Sequence, residues 1–205
     1  MPDNRDPLLS PVAISSLRPT QITVGLIEVE HKRKQWDKIG KKKAEYLGHH
    51  MMPVVIGPHG RPYVIDHHHL ARALHDEGQK TVLIQPMANL QSLSQEHFWR
   101  FLDNKGWLHP FDQHGDRQPY SEIPKKISQL KDDPFRALAG GVRRAGGYAK
   151  ETTPFSEFIW ADYFRSIFKA RDIRSDWQRC LDAGTAFARE HDAHFMPGWC
   201  GEDRS

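Results

Sequence analysis

"PYVIDHHHLARAL", residues 62–74, decides how this chain is read. A strand-like run of apolar residues ends in Asp66. His67, His68 and His69 follow without a gap, and then Leu70, Ala73 and Leu74 recur at helical spacing. The stretch is a strand handing over to a helix. Just upstream, "PVVIG" is a β-branched run, and "GPHGR" supplies the Gly and Pro of a tight turn, so the two runs predict a hairpin. Downstream, Gly78 stops the helix and "TVLIQP" is a third strand. Sheet strands are expected at 54–56, 63–65 and 82–84, with a helix over 67–77 on one face. This is an α+β fold: a small mixed sheet with packed helices, followed by a mainly helical C-terminal half.

Working outward, residues 1–10 read as a loose tail, "VAISSL" as a first strand and "RPTQITVG" as a polar loop. From Gly25 to about Leu47 the pattern is helical, weakened at Gly40, with a basic face made by "KRK" and "KKK". Beyond residue 91, Ser94 caps a helix carrying Phe98, Phe101 and Leu102. Residues 124–131 predict a short helix, and 135–144 another. "PFSEFIWADYFRSIF" predicts a third, with an aromatic stripe. Ser175 and Gln178 form a capping-box pattern for the last. The organisation expected is an α/β core over 11–90 and a helical region over 91–205 packed on it, the two together making one continuous domain or a pair.

The chain has 205 residues with 29 Lys and Arg against 26 acids, a formal net charge of +3 that is too mild to identify a nucleic-acid partner by itself. Two cysteines are too few for a disulfide scaffold, and no apolar run is long enough to span a membrane, so a cytoplasmic setting is expected. Oligomeric state is left open.

The histidine junction admits three readings. If Asp66 is the N-cap, His67, His68 and His69 are the first helical residues, and their unpaired N–H groups with the helix dipole suit a phosphate. On the helical wheel His67 shares the face of Leu70 and Leu74, whereas His68 is turned toward Arg72, which would add a fixed charge. Asp66 with histidine could instead ligate a divalent ion, or a histidine could act as general base. In the bland reading Asp66 caps the helix and the histidines pack structurally.

"PVVIGPHGRPYVIDHHHLARAL" resembles the ParB/sulfiredoxin fold, and more specifically the ParB-like nuclease family, whose hallmark is the triplet in "DHHHLARAL". "EHFWRFLDNKGWLHPFD", "DDPFRALAGGVRRAGGYAK", "PFSEFIWADYFR" and "MPGW" resemble blocks of the same family. The resemblance implies nucleotide or nucleic-acid phosphate binding at the strand-to-helix junction, in some relatives with nuclease activity. His67 stands where the wider superfamily carries glycine. No cysteine lies beside the junction, which excludes sulfiredoxin chemistry.

Other groups could serve the junction. Asp132 and Asp133, adjacent in "DDPFR", would hold a divalent ion with Asp66, or one of them would cap the next helix. Arg143, Arg144 and Lys150 in "RRAGGYAK" would clamp phosphates, and Trp160 and Tyr163 would stack bases or pack in the core. Two functions stand side by side. One is an enzyme, a nuclease or nucleotide-dependent phosphate-handling protein. In it Asp66, His68 and His69 are catalytic, His67, Arg72, Arg143, Arg144 and Lys150 bind phosphate, and magnesium, manganese or a nucleoside triphosphate is the cofactor. The other is a non-catalytic nucleotide- or DNA-binding module.

Overall fold

The computed structural model describes residues 10–201; the tail expected over 1–10 lies almost wholly outside them. In chain order the first elements are β1 (Ser10–Ala13), β2 (Arg18–Pro19), β3 (Thr23–Val24), α1 (Leu26–Ile39) and α2 (Lys43–His49). The central elements are β4 (Met52–Gly57), β5 (Arg61–Val64), α3 (His68–Asp76) and β6 (Thr81–Asn89). The remainder comprises α4 (Gln95–Asn104), β7 (Lys131–Asp132), α5 (Pro134–Arg144), α6 (Ser156–Ile167), α7 (Ala170–Ser175) and α8 (Trp177–Arg189).

Five strands form one mixed sheet in the order β1-β6-β4-β5-β2. The expected hairpin is β4 against β5, antiparallel, with Gly57 opposite Arg61. Gly57 is required there by close approach, since a Cβ would lie 2.6 Å from the Tyr63 ring. β6 returns parallel to β4 after crossing through α3, and β1 closes the edge antiparallel to β6. Val54, Val64, Leu70, Leu74 and Val82 meet Trp36 of α1 in the core on one face. On the other face Val55 and Tyr63 pack against Phe98 and Leu102 of α4. Alternation of side chains along a strand sends neighbours Val54 and Val55 to different cores.

A third core is mainly helical: Leu138 and Val142 of α5 with Trp160 and Phe164 of α6, and Ile173 and Cys180 behind them. Trp160 is therefore a packing residue and not a base-stacking platform. This helical half is laced into the sheet half. β3 pairs in parallel with β7, Gln21 bridges to His109, and Gly25 abuts Ala137 so closely that a Cβ would sit 2.6 Å from its backbone.

Several local expectations need correction. "RPTQITVG" is not a solvated loop: it contains β2 and β3, and Thr20, Gln21 and Thr23 are buried. Two of these side chains are paired, Thr20 Oγ1 donating to the Val64 carbonyl at 2.8 Å and Gln21 Nε2 to the Thr23 carbonyl at 2.6 Å, whereas the buried Thr23 hydroxyl has no partner. Residues 124–131 hold only a single helical turn at Ile127–Gln129, because Lys126 is extended and Lys131 is drawn into β7. The last helix is capped by Asp176, which accepts the Arg179 N–H at 3.2 Å; Ser175 ends α7 and bonds back to the Asp172 carbonyl. The helix over 25–47 is in two pieces as expected, divided at Gly40 (φ 58°).

Candidate functional site

The strand-to-helix junction forms the floor of a cleft of about 570 Å³. β5 ends at Val64, and α3 starts at His68. The N-cap is His67, one residue later than expected, and it lies in the left-handed region at φ 66°, ψ 23°. Asp66 does not cap the helix through its first turn; its carboxylate accepts the N–H of its neighbour His67 at 2.6 Å. Glycine adopts this left-handed conformation freely, whereas His67 holds it at some conformational cost.

The shift of the helix start by one residue reorients the triplet. His68 does not face Arg72; it is buried, and its Nε2 accepts the Thr20 N–H at 3.1 Å. His69 is also buried, and its Nε2 accepts the Gly25 N–H at 3.0 Å. Each neutral ring therefore carries its proton on Nδ1. Burial pushes His68 down to about 4, and pushes His69 well below the ordinary imidazole value, with the nearby charge of Arg136 adding to the effect on His69. Both rings are structural braces that tie α3 to the segment between β2 and α1. His67 is different: its buried Nδ1 has no partner, and it lines the cleft. Burial lowers its pKa as well, so the ring is neutral at pH 7.

The backbone at this junction stays available. No side chain caps α3, and the N–H groups of His68, His69 and Leu70 precede the first intrahelical bond, which Ala71 makes to His67. All three residues line the cleft although their side chains are buried.

The structure gathers some of the other expected residues and disperses the rest. Arg143 and Lys150 line the cleft; Arg144 does not, being paired with Glu28 on its wall. Arg72 points elsewhere, to Asp76 at 2.8 Å and the Leu130 carbonyl at 2.9 Å. Asp132 and Asp133 do not join Asp66. Asp132 accepts the Leu26 N–H and pairs with Arg174, whereas Asp133 caps α5 and pairs with Arg165 at 2.8 Å. Among the described residues no group of three or more His, Cys, Asp or Glu side chains is arranged to hold a metal ion, so no step is assigned to one.

Several cleft residues went unrecognised in the sequence, Arg136, Lys32, Gln21 and Ser156 among them. Arg136 lies on the cleft wall with its Nε buried and without a partner, its one ion pair a long 3.7 Å contact to Glu157. Lys32 of α1 lines the cleft and, among the described residues, makes no ion pair. Gln21 and Ser156 are buried yet line it. A signal existed for Arg136: residues 136, 140 and 143 recur at helical spacing, and the last was already a candidate.

Comparison with known proteins fits this geometry. Residues 10–166 match the family described as "Putative ParB-like nuclease". The crystal structure of protein Atu1540 from Agrobacterium tumefaciens superposes with a TM-score of 0.89, at 45% identity over 96% of this chain and 100% of that one. No curated protein matches. Among the described residues no helix is long and apolar enough to cross a membrane. A match spanning both the histidine junction and the helices that wall the cleft places this chain in the ParB-like nuclease family.

Proposed function

We propose that the cleft binds the phosphate of a nucleotide or nucleic acid at the start of α3, and that the protein acts there as a phosphodiester hydrolase on DNA. The observation that carries the reading is Arg136. A guanidinium with an unsatisfied buried Nε and only a 3.7 Å contact to Glu157, set in the wall of a cleft floored by three free N–H groups, has donors left for an anion. Lys32, Arg143 and Lys150 add positive charge around the same space. In the hydrolytic step His67, neutral at pH 7, takes the proton of an attacking water. The amides and Arg136 offset the negative charge growing on the phosphoryl oxygens, and the leaving oxygen takes its proton from solvent. The free thiols Cys180 and Cys200 support a cytoplasmic setting for this chemistry. A second reading, a non-catalytic binding module, is favoured by one observation: two of the three histidines are committed to backbone hydrogen bonds.

The test has two stages. ATP, CTP and a short oligonucleotide are titrated at low salt, where at least one should bind, and Arg136→Gln should weaken that binding about 10-fold, the loss of one charge-assisted contact. Plasmid is then incubated with the protein, with and without magnesium or manganese, against His67→Asn. Cleavage lost in the variant supports the enzyme, binding without cleavage supports the module, and no binding of any phosphate ligand sinks both.

A further inference from the structure

Two helices begin in the cleft, α3 at His68 and α6 at Ser156. Each is preceded by a bulky residue in the left-handed region, His67 at φ 66° and Phe155 at φ 59°. Neither helix has a side-chain cap, so both leave first-turn donors facing one space. At α6 the Ser156 and Phe158 N–H groups go to the Thr153 and Phe155 carbonyls at 3.2 and 2.8 Å, which leaves the Glu157 N–H. Beside it, Ser156 is only 7% exposed and lines the cleft, and among the described residues its hydroxyl has no hydrogen-bond partner. A hydroxyl that opens onto a cleft from an otherwise buried residue at a helix start, with no protein partner, is free to bond a ligand oxygen.

Arg136 links the two helix starts. Its guanidinium lies 3.7 Å from the Glu157 carboxylate and 5.1 Å from the Phe158 ring on α6, and its charge acts on His68 and His69 on α3. The Glu157 carboxylate is itself paired with Arg143 and Arg136, so its charge does not bar an anion from the adjoining N–H. The cleft volume, about 570 Å³, lies within the range of small-ligand sites.

We propose that the cleft holds two phosphate groups of one ligand at once, the first at the N–H groups of α3 and the second at the Ser156 hydroxyl and the Glu157 N–H, with Arg136 between them. The ligand class is a molecule carrying two neighbouring phosphates. This rests on the phosphate reading above and sharpens it: a lone phosphate fills half the site. Two sources share that chemistry, a nucleoside diphosphate and two successive phosphates of a strand.

Calorimetric titration of the full chain with orthophosphate and pyrophosphate tests the proposal. Pyrophosphate should bind at least about 10-fold more tightly, since its second group is delivered intramolecularly. Ser156→Ala should lower the ratio of pyrophosphate to orthophosphate affinity about 5-fold, the size of one hydrogen bond, and Ser156→Thr should restore it. Thermal melts confirm that both variants fold. ADP and a 5′-phosphorylated dinucleotide are titrated alongside, and the one whose affinity falls in Ser156→Ala identifies the source. Pyrophosphate binding no tighter than orthophosphate, or a ratio unmoved by Ser156→Ala, would overturn the two-phosphate site while leaving a single-phosphate site standing. Failure of every phosphate ligand to bind would remove both.

Discussion

The Nε2 of His69 accepts the backbone N–H of Gly25 at 3.0 Å, joining the first turn of α3 to the N-cap of α1 across 44 residues of chain. Gly25 also abuts Ala137 of α5, so a single imidazole fixes the point where three helices meet. His69→Ala should destabilise the protein by about 2–4 kcal/mol, combining an orphaned buried N–H with a side-chain-sized void. His69→Gln, which can still present an acceptor, should recover part of the loss. Denaturant unfolding of the two variants measures it; a loss below about 0.5 kcal/mol would deny the brace.

His68 makes the fold sensitive to acid. In the unfolded chain its ring protonates near 6.5, whereas burial in the fold holds it to about 4. Between those values the unfolded state binds a proton that the folded state refuses. Stability is therefore full above about pH 6.5 and falls as pH drops toward 4, by about 3 kcal/mol from this ring alone. His69, and His109 at about 3, are displaced the same way. Urea midpoints at about pH 7 and about pH 5 should differ markedly, and the difference should shrink in His68→Gln, which cannot titrate. Equal pH dependence in the variant would show that His68 is accessible to protons.

The sheet was legible because Val54, Val55, Tyr63, Val64, Val82 and Ile84 carry β-branched and aromatic character in short runs set off by Gly and Pro. Those signals are local, as the β4–β5 register confirms. The split at Gly40 was legible for the same reason. What failed depended on distance. The wheel placed His68 in the open because nothing near residue 68 announces that Thr20, 48 positions away, supplies an N–H to it. The N-cap moved to His67 because left-handed backbone at a histidine is unusual and leaves no pattern in sequence. Asp132 and Asp133 looked like a metal pair only while their partners, Arg174 and Arg165, were unknown.

Backbone geometry at His67 separates its structural role from its chemical one. With φ at 66°, glycine should be tolerated there at least as well as histidine, and asparagine nearly so. His67→Gly and His67→Asn should melt within a few degrees of the parent, whereas His67→Val should lose about 1–2 kcal/mol, since a β-branched residue resists that conformation. If His67 serves the cleft, its glycine variant keeps its fold and loses function. A stable valine variant would contradict the left-handed assignment.

Asp133 settles whether the "DDP" carboxylates support the fold or hold a metal. It is 1% exposed, accepts the Phe135 N–H at 2.9 Å, and pairs with Arg165 at 2.8 Å. Asp133→Asn keeps an oxygen for the α5 cap but leaves Arg165 without that counter-charge, and should cost about 1–3 kcal/mol; Asp133→Ala loses cap and pair together and should cost about 3–5 kcal/mol. Because neither Asp133 nor its partner Arg165 lines the cleft, phosphate affinity of the folded Asp133→Asn protein should stay within about 2-fold of the parent. Thermal melts with and without magnesium distinguish the roles. A magnesium-induced rise in Tm in the parent that disappears in Asp133→Asn would make this carboxylate a metal ligand, whereas an identical magnesium response in both assigns it to the helix and to Arg165.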